Sequence, residues 1–279
     1  MRAQSRAAAR RTRTAQSITP RGADLPWKFG PVTGLVRGDT VHLRHDTEGA
    51  ELHVRGGRLE RGTGFESASR AARQVLARAG AIQRLRSRGR YHVHAAGVVD
   101  PTGRAWLLAG DSCSGKSTLT YALARAGWGV LGDDGVVVER DGDAVRCHAW
   151  REPLHVSDAL IDHFPELARW AHAADVADPR RRMPVTAHTA RSASLAAIIF
   201  VRFAAHDAVH HLRPLDALAA LVRQSRWVMV NDRHAAAHLR LLAHMVQSVP
   251  VRLLEHSPAQ LHRVAHTLAE AVAEEPCLA

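Results

Sequence analysis

The feature that most constrains this chain is the run Gly110-Asp111-Ser112-Cys113-Ser114-Gly115-Lys116-Ser117. It lies between an apolar segment, Ala105-Trp106-Leu107-Leu108-Ala109, and a stretch of helical character from about Lys116 to Ala126. The run matches G-x-x-x-x-G-K-[S/T] in full. That pattern has physical meaning where a strand enters the loop and a helix leaves it, and both are read here. Glycines let the backbone wrap closely around an anion, and the N-terminus of the following helix adds positive partial charge. The run predicts a phosphate site built from Gly110, Asp111, Ser112, Cys113, Ser114, Gly115, Lys116, Ser117 and Thr118. In it Lys116 reaches the β and γ phosphates of a nucleoside triphosphate and Ser117 ligates Mg²⁺. The expected fold class is α/β.

Patterning on either side divides the chain. Residues 1–20 read as a disordered basic tail. From about Leu25 to Arg61, short alternating runs such as Thr40-Val41-His42-Leu43-Arg44 and Glu51-Leu52-His53-Val54-Arg55 are separated by turn signals, which predicts a small antiparallel meander. A helix is expected from about Glu66 to Arg86, with Ala68, Ala72, Val75, Leu76, Ala79, Ile82 and Leu85 on one face and arginines on the other. The meander and this helix occupy residues 21–90, and residues 91–279 form the domain that carries the loop. There, His92 to Val99 reads as one strand. Downstream, strands are expected at Gly129–Leu131, Val136–Arg140, Ala144–His148, Leu195–Phe203, Ala208–Arg213 and Val251–Leu254. Helices are expected at Asp158–Ala171, Leu215–Gln224, Arg233–Gln247 and Pro258–Ala273, and a polar loop over Ala173–Thr189.

Composition excludes some roles and weakens others. No apolar run approaches the roughly 20 residues needed to cross a bilayer. The first twenty residues carry five arginines and no apolar core, so they do not read as a secretory signal. The three cysteines show no paired or metal-like spacing, which fits a reducing cytoplasm. The formal charge of +11 raises nucleic-acid binding, but the arginines are scattered and no nucleic-acid motif accompanies them. An acidic or phosphorylated ligand accounts for the charge as well. The densest histidine group, His206 with His210-His211, sits in strand-like sequence and reads as structural.

Asp133-Asp134 follows a short apolar strand, eighteen residues after Lys116 at its second member. Adjacent carboxylates there are costly unless a metal or a proton-transfer role holds them. The plain alternative is an Asp134-Gly135 turn opening a hairpin.

Together, His94-Ala95-Ala96-Gly97, Leu107-Leu108-Ala109-Gly110 and Ala126-Gly127-Trp128-Gly129-Val130-Leu131-Gly132-Asp133-Asp134 resemble the catalytic domain of the HPr kinase/phosphorylase family. The resemblance is strongest to its short relatives that hold only that domain. It covers about His92 to Glu139. It implies a P-loop kinase fold related to phosphoenolpyruvate carboxykinase, with ATP and Mg²⁺ as cofactors, homo-oligomers, and phosphorylation of a serine hydroxyl on a peptide or protein such as a ribosomal (lasso) peptide precursor. Carried over by position, Asp134 is the proton acceptor for the substrate hydroxyl, Lys116 and Ser117 contact phosphates and metal, and His94 matches an active-site histidine. Asp133 then holds Mg²⁺ or orients Asp134. A carboxylate base beside a hydroxyl nucleophile is the general logic of kinases. The alternative for His94 is a strand histidine paired with a neighbour. His92 is assigned to the other face of that strand.

The chain departs from the family where a glycine-containing, metal-binding Glu segment is expected. It reads Ala149-Trp150-Arg151-Glu152-Pro153-Leu154 instead, which leaves Glu152 open and argues against HPr as substrate and against the reverse phosphorylase reaction. Arg180-Arg181-Arg182 is either a clamp for phosphate or an acidic peptide, or a solvated charge run. Two further readings stand beside the serine kinase: a small-molecule or nucleotide kinase, and a non-catalytic ATP-binding regulator.

Overall fold

The computed structural model describes residues 26–152, 154–170, 181–183, 190–230, 232–257 and 268. The basic tail over 1–20 lies outside the described residues, as does the helix expected over 258–273 apart from residue 268. The architecture is mixed α/β. Strands β1 (Trp27–Phe29), β2 (Val32–Arg37), β3 (Thr40–His45), β4 (Glu51–Arg55) and β5 (Arg58–Arg61) pair antiparallel in chain order. Helix α1 (Arg70–Arg86) covers that sheet, with Ala72, Leu76 and Ala79 packed against Val32, Leu43 and Leu52. Its first turn is capped by Ser69, whose side chain accepts from the Ala72 N–H at 3.1 Å.

Two arginines of α1 depart from the expected solvent face. Arg86 is fully buried and pairs with Asp232 at 2.9 Å, and Arg78 points toward the region of the Asp pair. Burial pulls the Arg86 guanidinium down and Asp232 opposes it. An ion pair this deep persists because losing either partner would strand a charge. It ties α1 to a segment 146 residues away.

The loop-bearing part follows with β6 (Arg90–Val93), β7 (Ala96–Val99), β8 (Ala105–Ala109), α2 (Lys116–Arg125), β9 (Gly129–Gly132), β10 (Val136–Asp141) and β11 (Ala144–Ala149). Then come β12 (Leu154–Val156), α3 (Asp158–His163), β13 (Arg181–Met183), β14 (Ser192–Phe203), β15 (Ala208–His211), α4 (Pro214–Arg223), α5 (Ala235–Ser248) and β16 (Val251–His256). Nine of these strands form one sheet. Its path runs β6-β10-β11-β14-β8-β7-β9, and β16 pairs with β14 and β15. The long β14 is parallel to both β8 and β16, so Ala109, Phe203 and His256 all lie at the C-terminal end of the parallel strands. That end of an α/β sheet is where ligands bind, because the strands deliver loops there. Leu119 and Leu123 of α2 pack on one face of the sheet, and Ala217, Leu221, Leu242 and Met245 of α4 and α5 on the other.

Two expectations are corrected. The helix expected over Asp158–Ala171 stops at His163, and a 3-10 turn follows over Pro165–Trp170. Pro165 has no N–H to donate and pushes Phe164 out of helical geometry, to φ −135° and ψ 78°. The single strand expected over His92–Val99 is two strands with different neighbours. β6 pairs with β10 and β7 with β8 and β9, and the chain turns at His94-Ala95.

Candidate active site

The glycine-rich run forms the turn between β8 and α2. Gly110 and Gly115 hold φ values of 151° and 96°, which favour glycine, and the backbone is pressed from both sides. A Cβ on Gly110 would lie 2.7 Å from the Val201 carbonyl, and one on Gly115 would lie 2.6 Å from His256 Nε2. Cys113 takes φ 63° with its side chain exposed. Lys116 is buried and curls back over the loop, where Nζ donates to the carbonyls of Gly110 and Asp111, both at 2.8 Å. Burial lowers the affinity of its amine for a proton, and the charges of Asp134 and then Asp133 work against that.

β9 carries the Asp pair to the loop. Ser117 Oγ donates to Asp133 Oδ2 at 3.1 Å. A hydroxyl beside a carboxylate is a hard-oxygen pair suited to Mg²⁺, which takes one or two protein oxygens and completes its shell with phosphates and water. Among the described residues no cluster of three His, Cys, Asp or Glu side chains could hold a metal by itself. The residues thus fit a metal held jointly with a bound triphosphate.

Asp134 faces a different set. His94 Nε2 lies 2.8 Å from Asp134 Oδ1, and Arg78 lies 3.4 Å from Oδ2 and 3.1 Å from Glu152. His94 Nδ1 lies 3.1 Å from Gln224 Oε1, and the Gln224 amide nitrogen donates to Asp111 at 3.4 Å. That last contact orients the amide, so its oxygen faces His94 Nδ1 as a hydrogen-bond acceptor. His94 Nε2 is then the ring nitrogen that faces Asp134 Oδ1. The turn at His94-Ala95 is fixed by the His94 N–H donating to the Gln224 carbonyl at 2.8 Å.

The Asp134-Gly135 step is not a left-handed turn. Gly135 is absent from the positive-φ glycines of the described chain, and glycine is needed for space: a Cβ there would lie 2.3 Å from His92 Nε2. His92 is fully buried against Trp150, and burial pushes it down to about 3. The assignment of His92 to the opposite face from His94 is also corrected. Both line the same cavity. Gly135→Ala is expected to cost about 1–3 kcal/mol of stability by overpacking and to displace Asp134. A thermal melt and a transfer assay on the variant would read both effects, and an unchanged melt would count against the crowding.

That cavity has a volume of about 700 Å³. Asp111, Ser112, His94 and Gln224 line it together with Phe29 of β1, Val75 and Ile82 of α1, and Trp227, so the amino-terminal sheet and helix contribute to its wall. Trp227 packs edge-on against Phe29 and Trp27, at 4.6 and 5.3 Å between ring centroids.

Of the residues singled out from sequence, Lys116, Ser117, Asp133, Asp134 and His94 converge, and Glu152 joins through Arg78. Arg180 lies outside the described residues, while Arg181 and Arg182 belong to β13, which pairs with β12. Arg78 and Gln224 were not anticipated. Arg78 had one weak signal, its place three residues after Val75 and four before Ile82, at the border of the apolar face. Gln224 had none.

Sheet, loop and Asp pair define an α/β protein whose glycine-rich loop caps a parallel strand beside two carboxylates. Among characterised proteins, the HPr kinase/phosphorylases of Chlorobium phaeovibrioides and Chlorobium luteolum are each 35% identical to this chain over 77 residues, covering 28% of this chain and 21% of theirs. That of Pelodictyon phaeoclathratiforme is 35% identical over 77 residues, 22% of its own length. The match spans about a fifth of these relatives, and over it the chain is HPr kinase/phosphorylase-like. A solved structure, the HPr(Ser) kinase/phosphatase from Coxiella burnetii, aligns over 64% of this chain and 93% of its own, with 10% identity and a TM-score of 0.33. No family model matches the chain. Among the described residues, no helix is long and apolar enough to cross a membrane.

Proposed function

We propose that this protein is an ATP-dependent serine kinase with the P-loop fold of the HPr kinase catalytic domain, moving a γ-phosphoryl group to a hydroxyl of a peptide or protein. The observation that carries the reading is the position of Asp134. It lies beside the phosphate loop, held by His94 and Arg78, which both line the adjoining cavity. Lys116 and the loop N–H groups bind and orient the donor phosphates. Ser117 and Asp133 hold Mg²⁺, which supplies charge neutralisation at the phosphates when bound. Asp134 accepts the proton of the acceptor hydroxyl as its oxygen bonds to the γ-phosphorus. The bond to the β-bridging oxygen breaks, and its electron pair leaves with ADP. His94, with Nδ1 toward Gln224, holds Asp134 in place through Nε2. The free thiols of Cys113 and Cys147 suit a reducing compartment such as the cytoplasm.

The test is incubation with γ-labelled ATP, Mg²⁺ and a set of serine-containing peptides, read by mass spectrometry. A peptide gaining one phosphate is the expected result. Label appearing on a metabolite and on no peptide would favour a small-molecule kinase, and nucleotide binding without any transfer would favour a regulator.

A further inference from the structure

The cavity beside the loop says what the acceptor is made of. Arg223, at the end of α4, and Arg226, in the 3-10 turn Arg226–Met229, both line it and are both exposed. Neither has an ion-pair partner among the described residues. This sets them apart from Arg78, which is committed to Asp134 and Glu152, and from Arg86, which is committed to Asp232. The same cavity is lined by aromatic and aliphatic side chains, Phe29, Val32, Val75, Ile82 and Trp227. A guanidinium fork is built to take a carboxylate in two parallel hydrogen bonds. A chain of formal charge +11 also draws anions toward such a cleft. The volume of about 700 Å³ accommodates a short extended segment or a small molecule.

Resting on the kinase reading above, we infer that the acceptor is an anionic, partly apolar one: an extended peptide segment that presents its hydroxyl beside a carboxylate, read by Arg223 and Arg226, and an apolar side chain laid against Phe29 and Trp227. The amino-terminal sheet and α1 are then part of the acceptor site and not an appendage. A free hydroxy acid shares the hydroxyl and the carboxylate but lacks the apolar side chain.

The experiment uses the full chain and matched peptides in which a serine is flanked by Leu and by either Glu or Gln, with free L-serine as the small-molecule arm. Binding is followed by calorimetry in the presence of a non-hydrolysable ATP analogue, and transfer by mass spectrometry. The Glu peptide is expected to bind and react at least about tenfold better than its Gln isostere, a ratio within the range of a lost charge-assisted hydrogen bond. L-Serine alone is expected to be poor, and its reacting as well as the Glu peptide would overturn the peptide assignment. In the double variant Arg223→Gln/Arg226→Gln the Glu-over-Gln preference is expected to collapse through KM, with the affinity for the ATP analogue retained. Equal handling of Glu and Gln peptides by the wild type would overturn the inference and leave the kinase reading standing. So would a double variant that loses ATP affinity, because the two arginines would then be gripping the donor. Selective binding of the Glu peptide without transfer would overturn the kinase reading and leave the acceptor chemistry in place.

Discussion

Asp134→Asn is expected to slow phosphoryl transfer by about 10²–10⁴-fold, the usual contribution of a positioned general base, with nucleotide affinity nearly unchanged. The substitution preserves size and leaves an amide within reach of His94 Nε2, which sits 2.8 Å from the native carboxylate. What it removes is the negative charge facing Arg78 and the capacity to take a proton. The donor side stands on other residues: Lys116 Nζ held by two loop carbonyls and Ser117 paired with Asp133. Single-turnover transfer alongside titration with a fluorescent nucleotide separates the two quantities. Transfer at the wild-type rate would remove Asp134 from the role of base and return the Asp-Gly step to a structural feature of the β9–β10 connection.

Lys116→Ala is expected to have a different signature, with transfer and nucleotide binding falling together and transfer by at least about 10²-fold, the scale of losing one preorganised electrostatic contact to developing charge. The side chain is 8% exposed, so its ammonium is desolvated, a cost offset by two carbonyl acceptors and by the nearby charges of Asp134 and Asp133. An arriving phosphate would find a cation already oriented and stripped of water, where Coulomb attraction is strongest. Alanine deletes that cation and also the two hydrogen bonds that close the loop on itself. Circular dichroism would confirm that the sheet is intact. An alanine variant that binds nucleotide with native affinity would overturn the assignment of the run as a triphosphate site.

How far the site was legible in the sequence differs residue by residue. Lys116 and Ser117 were readable because the glycine-rich loop is a local object. Its spacing, its glycines and its strand–helix flanks all lie within about twenty contiguous residues. Asp133 and Asp134 were readable because two carboxylates after an apolar strand are conspicuous. His94 was found through resemblance, but its setting was misread. The break at His94-Ala95 depends on a hydrogen bond to Gln224, 130 residues downstream, as does the orientation of the imidazole. The plain alternative for Asp134-Gly135 rested on Asp-Gly turn chemistry, whereas the structure asks Gly135 to be small beside His92.

By itself, then, the sequence determined the α/β character, the glycine-rich loop with its lysine and serine, and the presence of an acidic pair just beyond the next strand. All three are written in near-neighbour spacing, which backbone geometry converts directly into structure. Tertiary structure alone decided that Arg78 of the amino-terminal helix meets Asp134 across 56 residues, that Gln224 joins Asp111 to His94, and that Arg223 and Arg226 line one cavity with apolar side chains. Contacts of that kind are fixed by how sheet and helices pack. An arginine on a helix surface carries no local mark that tells a solvated charge from one folded into a site.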